Sequence, residues 1–240
     1  MPTRNRRLLA EQAVKYWRKQ TWHELELVII DASETPIAVP ENLPARRVLY
    51  ERVQANTPIG SMRNVGCEIA QGDIVIHLDD DDWYASTYVE RIVHALLDSD
   101  IAGISKFYSY AFLSKTGARS SFWDGTDLPG GACVGYHRRV WREHSFEPIS
   151  HGEDSAFFLA HTATKLTALS DPSQFIYMRH MRNVTGALAV RHDPHDTKAI
   201  RCLLGPALSF YDGLAELLPN QGQPSHLWHC PPMPGPTFHR

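Results

Sequence analysis

Four consecutive aspartates, Asp79 to Asp82, follow the apolar run Ile74-Val75-Ile76-His77-Leu78 and precede Trp83-Tyr84. Neighbouring carboxylates repel one another, so the cluster needs either a cation or water around it. A strand that ends in such a cluster delivers negative charge to one point at a sheet edge. That arrangement suits a hard divalent ion, Mg²⁺ or Mn²⁺, bound through oxygen and shared with substrate phosphates. A solvated acidic turn is the plain alternative. An EF-hand over Asp79 to Glu90 is excluded, because the sixth position is Tyr84 where that loop needs glycine. A second acidic pair, Glu153-Asp154, stands before the apolar stretch Ser155 to His161. At a helix start it either caps the helix or presents an anion stabilised by the N-terminal amides.

The elements that must position these groups alternate. Leu8, Leu9, Ala13, Tyr16 and Trp17 have near-helical spacing within Arg7 to Lys19. Glu26 to Asp31 reads as a buried strand ending in a carboxylate, and Ala45 to Tyr50 as another strand. A helix over Gly60 to Ala70 is stopped by Gly72 before the strand Asp73 to Leu78. Thr87 and Glu90 have capping-box spacing for a helix through Leu97. This alternation implies βαβ units and a mostly parallel sheet, with ligands outside the carboxyl ends of the strands. Asp31 and Asp79 each stand at such an end. Further on, Ile101 to Ser114 reads as a strand entering a turn at Lys115-Thr116-Gly117. Gly130 to Tyr136 is a glycine-flanked strand, with a helix near Arg138 to Glu143, a helix over Ser155 to His161 and a strand over Gln174 to His180. Beyond about residue 190 come two helices, Thr197 to Leu204 and Ala207 to Leu218, then a Pro-rich tail from Pro224. A sheet of this kind normally opens with a strand, yet the chain starts at Met1-Pro2-Thr3. The first strand is therefore a stub or lies upstream, and loss of an inner strand would destabilise the fold.

Taken in order, Pro2-Thr3-Arg4-Asn5-Arg6, Leu27 to Asp31, Arg63-Asn64 with Gly72-Asp73, Leu78 to Tyr84 and Gly152-Glu153-Asp154 resemble the family-2 glycosyltransferases of GT-A fold. The resemblance implies an α/β, Rossmann-like, mostly parallel sheet flanked by helices, with its first strand truncated. It covers residues 1–185, with a nucleotide-binding half at 1–100 and an acceptor half at 101–185. Residues 186–240 form a helical extension and tail. It implies inverting transfer of a sugar from a nucleotide-diphosphate donor to a saccharide, lipid-linked or other hydroxyl acceptor, assisted by Mg²⁺ or Mn²⁺. By the same resemblance, Asp81 is the direct metal ligand, with Asp79 and His180 completing the metal set. Asp79 or Asp80 lies nearer the donor ribose or sugar, and Asp82 caps the following turn or joins the cluster. Asp31 contacts the donor base, although the second acid usual beside it is here Ala32, which leaves donor identity open. Arg4 and Arg63 face the diphosphate, whose oxygens a planar guanidinium binds in pairs. Pro2 and Thr3 shape the loop, and Gly131 in the Gly130-Gly131 pair lies beside donor sugar and acceptor. Asp154 is the general base, and Glu153 supports it or touches acceptor. Trp83, Trp123 and Trp141 either stack on sugar rings or belong to the core.

Composition narrows the alternatives. The net charge of -3 supplies no basic field for nucleic acid. Cys67, Cys133, Cys202 and Cys230 form no CxxC pair and read as free thiols in a reducing compartment. No stretch approaches the roughly 20 apolar residues of a membrane span, and no signal peptide is evident, which implies a cytoplasmic protein or one peripheral to a membrane. The sequon Asn183-Val184-Thr185 is read as chance. A sugar nucleotidyltransferase would need a glycine-rich loop with Arg and Lys that Pro2 to Arg7 does not supply. A catalytically degenerate glycan- or nucleotide-binding module of the same fold is the non-enzymatic alternative. The oligomeric state is not legible.

Overall fold

The computed structural model describes residues 1–44, 46–112, 119–124, 127–180, 183 and 194–217. In chain order the elements are β1 (Pro2–Thr3), α1 (Arg7–Arg18), β2 (Leu25–Asp31), β3 (Arg46–Arg52), α2 (Ile59–Ile69), β4 (Ile74–Ile76), β5 (Trp83–Tyr84) and α3 (Tyr88–Leu96). They continue as β6 (Ile101–Ile104), β7 (Lys106–Ala111), β8 (Arg119–Asp124), β9 (Val134–His137), α4 (Arg138–Glu143), α5 (Glu153–Ala160), β10 (Leu166–Leu169) and β11 (Phe175–Arg179). Two further helices, α6 (Pro194–Leu204) and α7 (Leu208–Leu217), are joined by a 3-10 turn at Gly205–Ala207.

The strands form an α/β body of three sheets. β1-β2-β3 is wholly parallel. The order β10-β6-β9-β4 is parallel between β10 and β6 and antiparallel elsewhere. In β5-β11-β7-β8 only β11 and β7 run parallel. The parallel βαβ units expected from the sequence are present, but the second half of the chain adds antiparallel pairings. There, the single strand expected over Ile101 to Ser114 divides at Ser105 into β6 and β7, which belong to different sheets.

Local sequence explains the helices. α1 buries Leu9, Ala10, Ala13, Val14 and Trp17 on one side, while Arg7 and Glu11 pair at 2.8 Å on the other. The capping box expected at Thr87 and Glu90 does not form. Thr87 Oγ1 donates to Gln174 Oε1 at 2.9 Å, and Glu90 accepts from Thr21 Oγ1 at 2.7 Å. Both side chains tie α3 to neighbouring elements instead. α6 and α7 bring Ile200, Leu204 and Tyr211 into the same apolar cluster as α1 and β11. The Tyr211 and Tyr16 hydroxyls meet there at 2.9 Å.

β1 is as short as the sequence indicates. It pairs only with Ile30 and Asp31 of β2, whereas β3 covers β2 from Leu25 to Asp31. Along the uncovered part of β2 lies an apolar cavity of about 500 Å³ that reaches β4 and is lined by Leu27, Val28, Ile30, Ile74 and Ile76. The turn at Lys115 to Gly117, the tail from Pro224, Cys230 and sequon residues Val184 and Thr185 lie outside the described residues. Cys67 and Cys133 are buried free thiols and Cys202 is an exposed one. Among the described residues no helix is long and apolar enough to cross a membrane.

Candidate active site

The segment after β4 turns the aspartates inward. Asp80, Asp81 and Asp82 are all buried. Each carboxylate therefore needs a specific partner, since an unpaired buried charge is costly. Arg6, on the loop between β1 and α1, spans two of them: its Nη1 lies 2.9 Å from Asp80 Oδ1 and 2.6 Å from Asp81 Oδ2. Asp81 Oδ2 also lies 3.1 Å from His180 Nε2 and accepts from Asn183 Nδ2 at 3.1 Å. Burial raises the Asp81 pKa, but the His180 contact and the Arg6 charge outweigh it, and the net shift is downward. Burial, opposed by Arg6, leaves Asp80 raised to about 7. Asp82 is pushed well up by burial and by the Asp81 and Asp79 charges. Its Oδ1 accepts the Met178 amide at 2.8 Å, so it fastens this turn to β11 and does not cap the segment that follows it.

Asp79 points toward α2. Its amide donates to the Tyr84 hydroxyl, which donates in turn to Ala132 O, both at 2.8 Å. Arg63 on α2 sits between Asp79, at 3.3 Å, and Glu153, at 3.5 Å. This buried guanidinium joins the strand end to the start of α5. Burial and the neighbouring charge raise Glu153 even so, with Arg63 opposing. Beside Arg63, His77 Nδ1 lies 2.6 Å from Gly131 O and 3.0 Å from Arg63 Nη1, and Nε2 lies 3.2 Å from the Tyr136 hydroxyl. Burial first, and then the Arg63 charge, hold the His77 pKa well below the usual histidine value.

Gly152 holds φ +78° immediately before α5, a left-handed conformation that favours glycine. Glu153, the first residue of the helix, is buried, and both it and Asp154 line the same cavity. Gly131 meets Asp154 directly: a Cβ on Gly131 would lie 2.6 Å from Asp154 Cβ and overlap its carboxylate. The Asp154 Oδ1 atom accepts the Ser155 amide at 2.7 Å.

One cavity of about 930 Å³ gathers most of these groups. Pro2, Thr3, Arg4 and Arg6 line it with Asp79, Asp80 and Asp81, and so do Arg63, Gly131, Glu153 and Asp154. The acidic strand end and the Glu-Asp helix start thus open onto the same space. Arg4 is tethered by Nη2 to Thr57 O. His180 is buried behind Asp81 and is not part of the cavity lining. Asp31 is also outside it. Its carboxylate is fully buried and accepts from the Ser33 and Ile37 amides at 2.8 and 3.0 Å and from the Tyr50 hydroxyl at 2.8 Å. Burial alone would raise Asp31, but the Ser33 side chain, followed by these amides and the Tyr50 hydroxyl, carries its pKa down.

The donor types suit a hard divalent ion. Asp79 Oδ1 and Asp80 Oδ2 are buried and accept no hydrogen bond, although Arg63 Nη2 stands 3.3 Å from the former, and Asp81 stands beside an imidazole. Among the described residues, however, no three His, Cys, Asp or Glu side chains converge on one point. Arg6 holds the cationic position next to Asp80 and Asp81. Two residues at this site escaped the sequence reading. Arg6 had as its signal only its place in the Pro2 to Arg6 run. Asn183, read there as part of a chance sequon, is buried with its amide on Asp81 and on Met178 O.

The family model described as glycosyl transferase family 2 matches residues 1–142. An uncharacterized glycosyltransferase of Haemophilus influenzae is 28% identical over 121 residues, covering 49% of this chain and 48% of that protein. The chain thus spans about half the length of that relative. Among solved structures, a mannosyltransferase from Pyrobaculum calidifontis in complex with GDP-Man and Mn²⁺ is similar at TM-score 0.57 and 16% identity, over 89% of this chain and 68% of that one. S. aureus TarS 1-349 in complex with UDP is similar at TM-score 0.54 and 18% identity, over 75% of this chain and 59% of that one.

Proposed function

Because the chain belongs to glycosyl transferase family 2 and has the GT-A fold, we propose that it moves a sugar from a nucleotide-diphosphate donor to an acceptor hydroxyl with inversion at the anomeric carbon. The observation that carries this reading is the shared cavity, in which Asp79 to Asp81 and Asp154 line one space and Gly131 leaves no gap beside the Asp154 carboxylate.

In the proposed step, Asp154 accepts the proton of the acceptor hydroxyl as that oxygen bonds to the anomeric carbon. The bond from this carbon to the diphosphate breaks, and its electron pair leaves with the diphosphate. Charge develops on the leaving group and on an oxocarbenium-like ring. Arg4 and Arg6 line the same cavity and offer guanidinium donors to the diphosphate. Arg63 keeps Asp79 and Glu153 in register with each other. Asp81, with Asp79 on the same cavity wall, would supply oxygen ligands for Mg²⁺ or Mn²⁺, which when bound neutralises the leaving diphosphate, and His180 steadies the Asp81 carboxylate from behind. The Mn²⁺ and nucleotide-sugar complexes of the similar structures support this choice of cofactor and donor class.

The test is release of nucleoside diphosphate from a panel of UDP-, GDP- and dTDP-sugars, with Mn²⁺ or Mg²⁺, by wild type and by Asp154→Asn. Loss of a general base lowers the rate by about 10²–10⁴-fold. Wild-type turnover that the substitution leaves undiminished would refute the assignment of Asp154.

A further inference from the structure

The cavity continues past Asp154 onto one face of the β5-β11-β7-β8 sheet. Side chains two residues apart on a strand share a face. Phe175, Tyr177 and Arg179 of β11, Phe107 and Ser109 of β7, and Trp123 of β8 all line the cavity on this account. Phe107 and Trp123 are directly opposite in register, with rings stacked at 6.3 Å and 19°. Trp123 is 53% exposed and lines the same cavity as Asp154. The Arg179 guanidinium lies 3.9 Å from the Tyr177 ring centroid, so a cation is held over the aromatic floor.

We propose that this face is the acceptor platform and that the acceptor is a pyranoside, whose C–H face stacks on Trp123 while its hydroxyl edge points to Asp154. This rests on the transfer reading above and names its second substrate. At about 930 Å³ the cavity is near the upper end of the usual range for ligand pockets, roughly 300–1,000 Å³, and so has space beyond the donor. Its sheet wall sets the rings of Phe107, Trp123 and Tyr177 beside polar Ser109 and Arg179. A sugar presents the matching pair of surfaces, one apolar face and a rim of hydroxyls. An acyl chain offers no such rim of hydroxyls. Trp123 is then a specificity residue at the substrate's non-reacting face.

The experiment is saturation-transfer NMR with methyl glycosides of glucose, galactose and N-acetylglucosamine, in the presence of UDP and Mn²⁺. At least one binds, with the strongest transfer to the axial ring protons of one sugar face. Trp123→Ala weakens that binding at least tenfold, Trp123→Phe recovers most of it, and UDP affinity by calorimetry changes less than twofold. The proposal is overturned if no methyl glycoside binds, if Trp123→Ala binds it as wild type does, or if binding needs the alkyl chain of an octyl glycoside. Binding read this way needs no turnover. A wild type inert toward every donor would therefore defeat the transfer reading, while the NMR result still decides the platform.

Discussion

Arg6 Nη1 lies 2.6 Å from Asp81 Oδ2 and 2.9 Å from Asp80 Oδ1, so a fixed positive charge of the chain stands on the carboxylates that a divalent ion would use. For an ion to reach Asp81 the guanidinium must move toward the cavity, where the donor's diphosphate would receive it. Metal binding and donor binding are coupled on this view through one side chain. Arg6→Gln removes the competing cation and is expected to tighten Mn²⁺ binding roughly tenfold, about 1.4 kcal/mol. Electron paramagnetic resonance of free Mn²⁺ in the absence of donor reads this directly. Unchanged affinity would mean that arginine and ion use different oxygens.

Arg63 compensates two buried acids at once, Asp79 and Glu153. Removing one partner of a buried ion pair costs about 3–5 kcal/mol, because the other charge is left without compensation. Arg63→Met should therefore lower the stability in urea by that order. A loss below about 1 kcal/mol would show that water already reaches these carboxylates.

Gly131 has no room for a side chain beside Asp154. Gly131→Ala pushes the carboxylate aside, and a displacement of about 1 Å costs on the order of 10² in rate. Transfer assays should show that loss with the fold intact by circular dichroism. Gly213 on α7 provides the contrast, since a Cβ there meets nothing within 4 Å. Gly213→Ala is expected to leave transfer unchanged and to raise stability by roughly 0.5–1 kcal/mol.

Burial raises Asp80 to about 7, against about 3.9 for an unfolded chain. Between about pH 4 and pH 7 the folded state then binds more protons than the unfolded one. Stability consequently falls as pH rises through that window and is unaffected by this group below it. Asp80→Asn should flatten the decline by roughly 1–3 kcal/mol between pH 5 and pH 8. Urea midpoints at several pH values measure it. Equal slopes for the two proteins would indicate that Arg6 keeps Asp80 ionised throughout.

Much of this site is written in short range. The Val28 to Asp31 strand end and the Asp79 to Asp82 run carry a local signature of apolar residues followed by charge, and the helix at Glu153 carries the reverse order, charge before an apolar stretch. What the sequence hides is decided by contacts across long separations. Asp82 and Asp81 are adjacent and chemically identical, yet one meets the Met178 amide and the other meets Arg6, His180 and Asn183. No local pattern distinguishes them. Asp31 looks equally available in sequence, but its carboxylate closes the loop through Ile37. The division of Ile101 to Ala111 into strands of two sheets is likewise set by β9 and β11, which lie further along the chain.

The apolar gap between β2 and β4 has a mechanical consequence. The Ile30 and Ala32 amides bond to Met1 O and Thr3 O, so the Val28 amide, two residues earlier, points along that same edge into the gap. The Arg63 and His77 side chains border it from the site's side. Arg63 borders both this apolar cavity and the cavity that holds the reactive carboxylates, so a packing change in the one reaches Asp79 and Glu153 in the other through a single guanidinium.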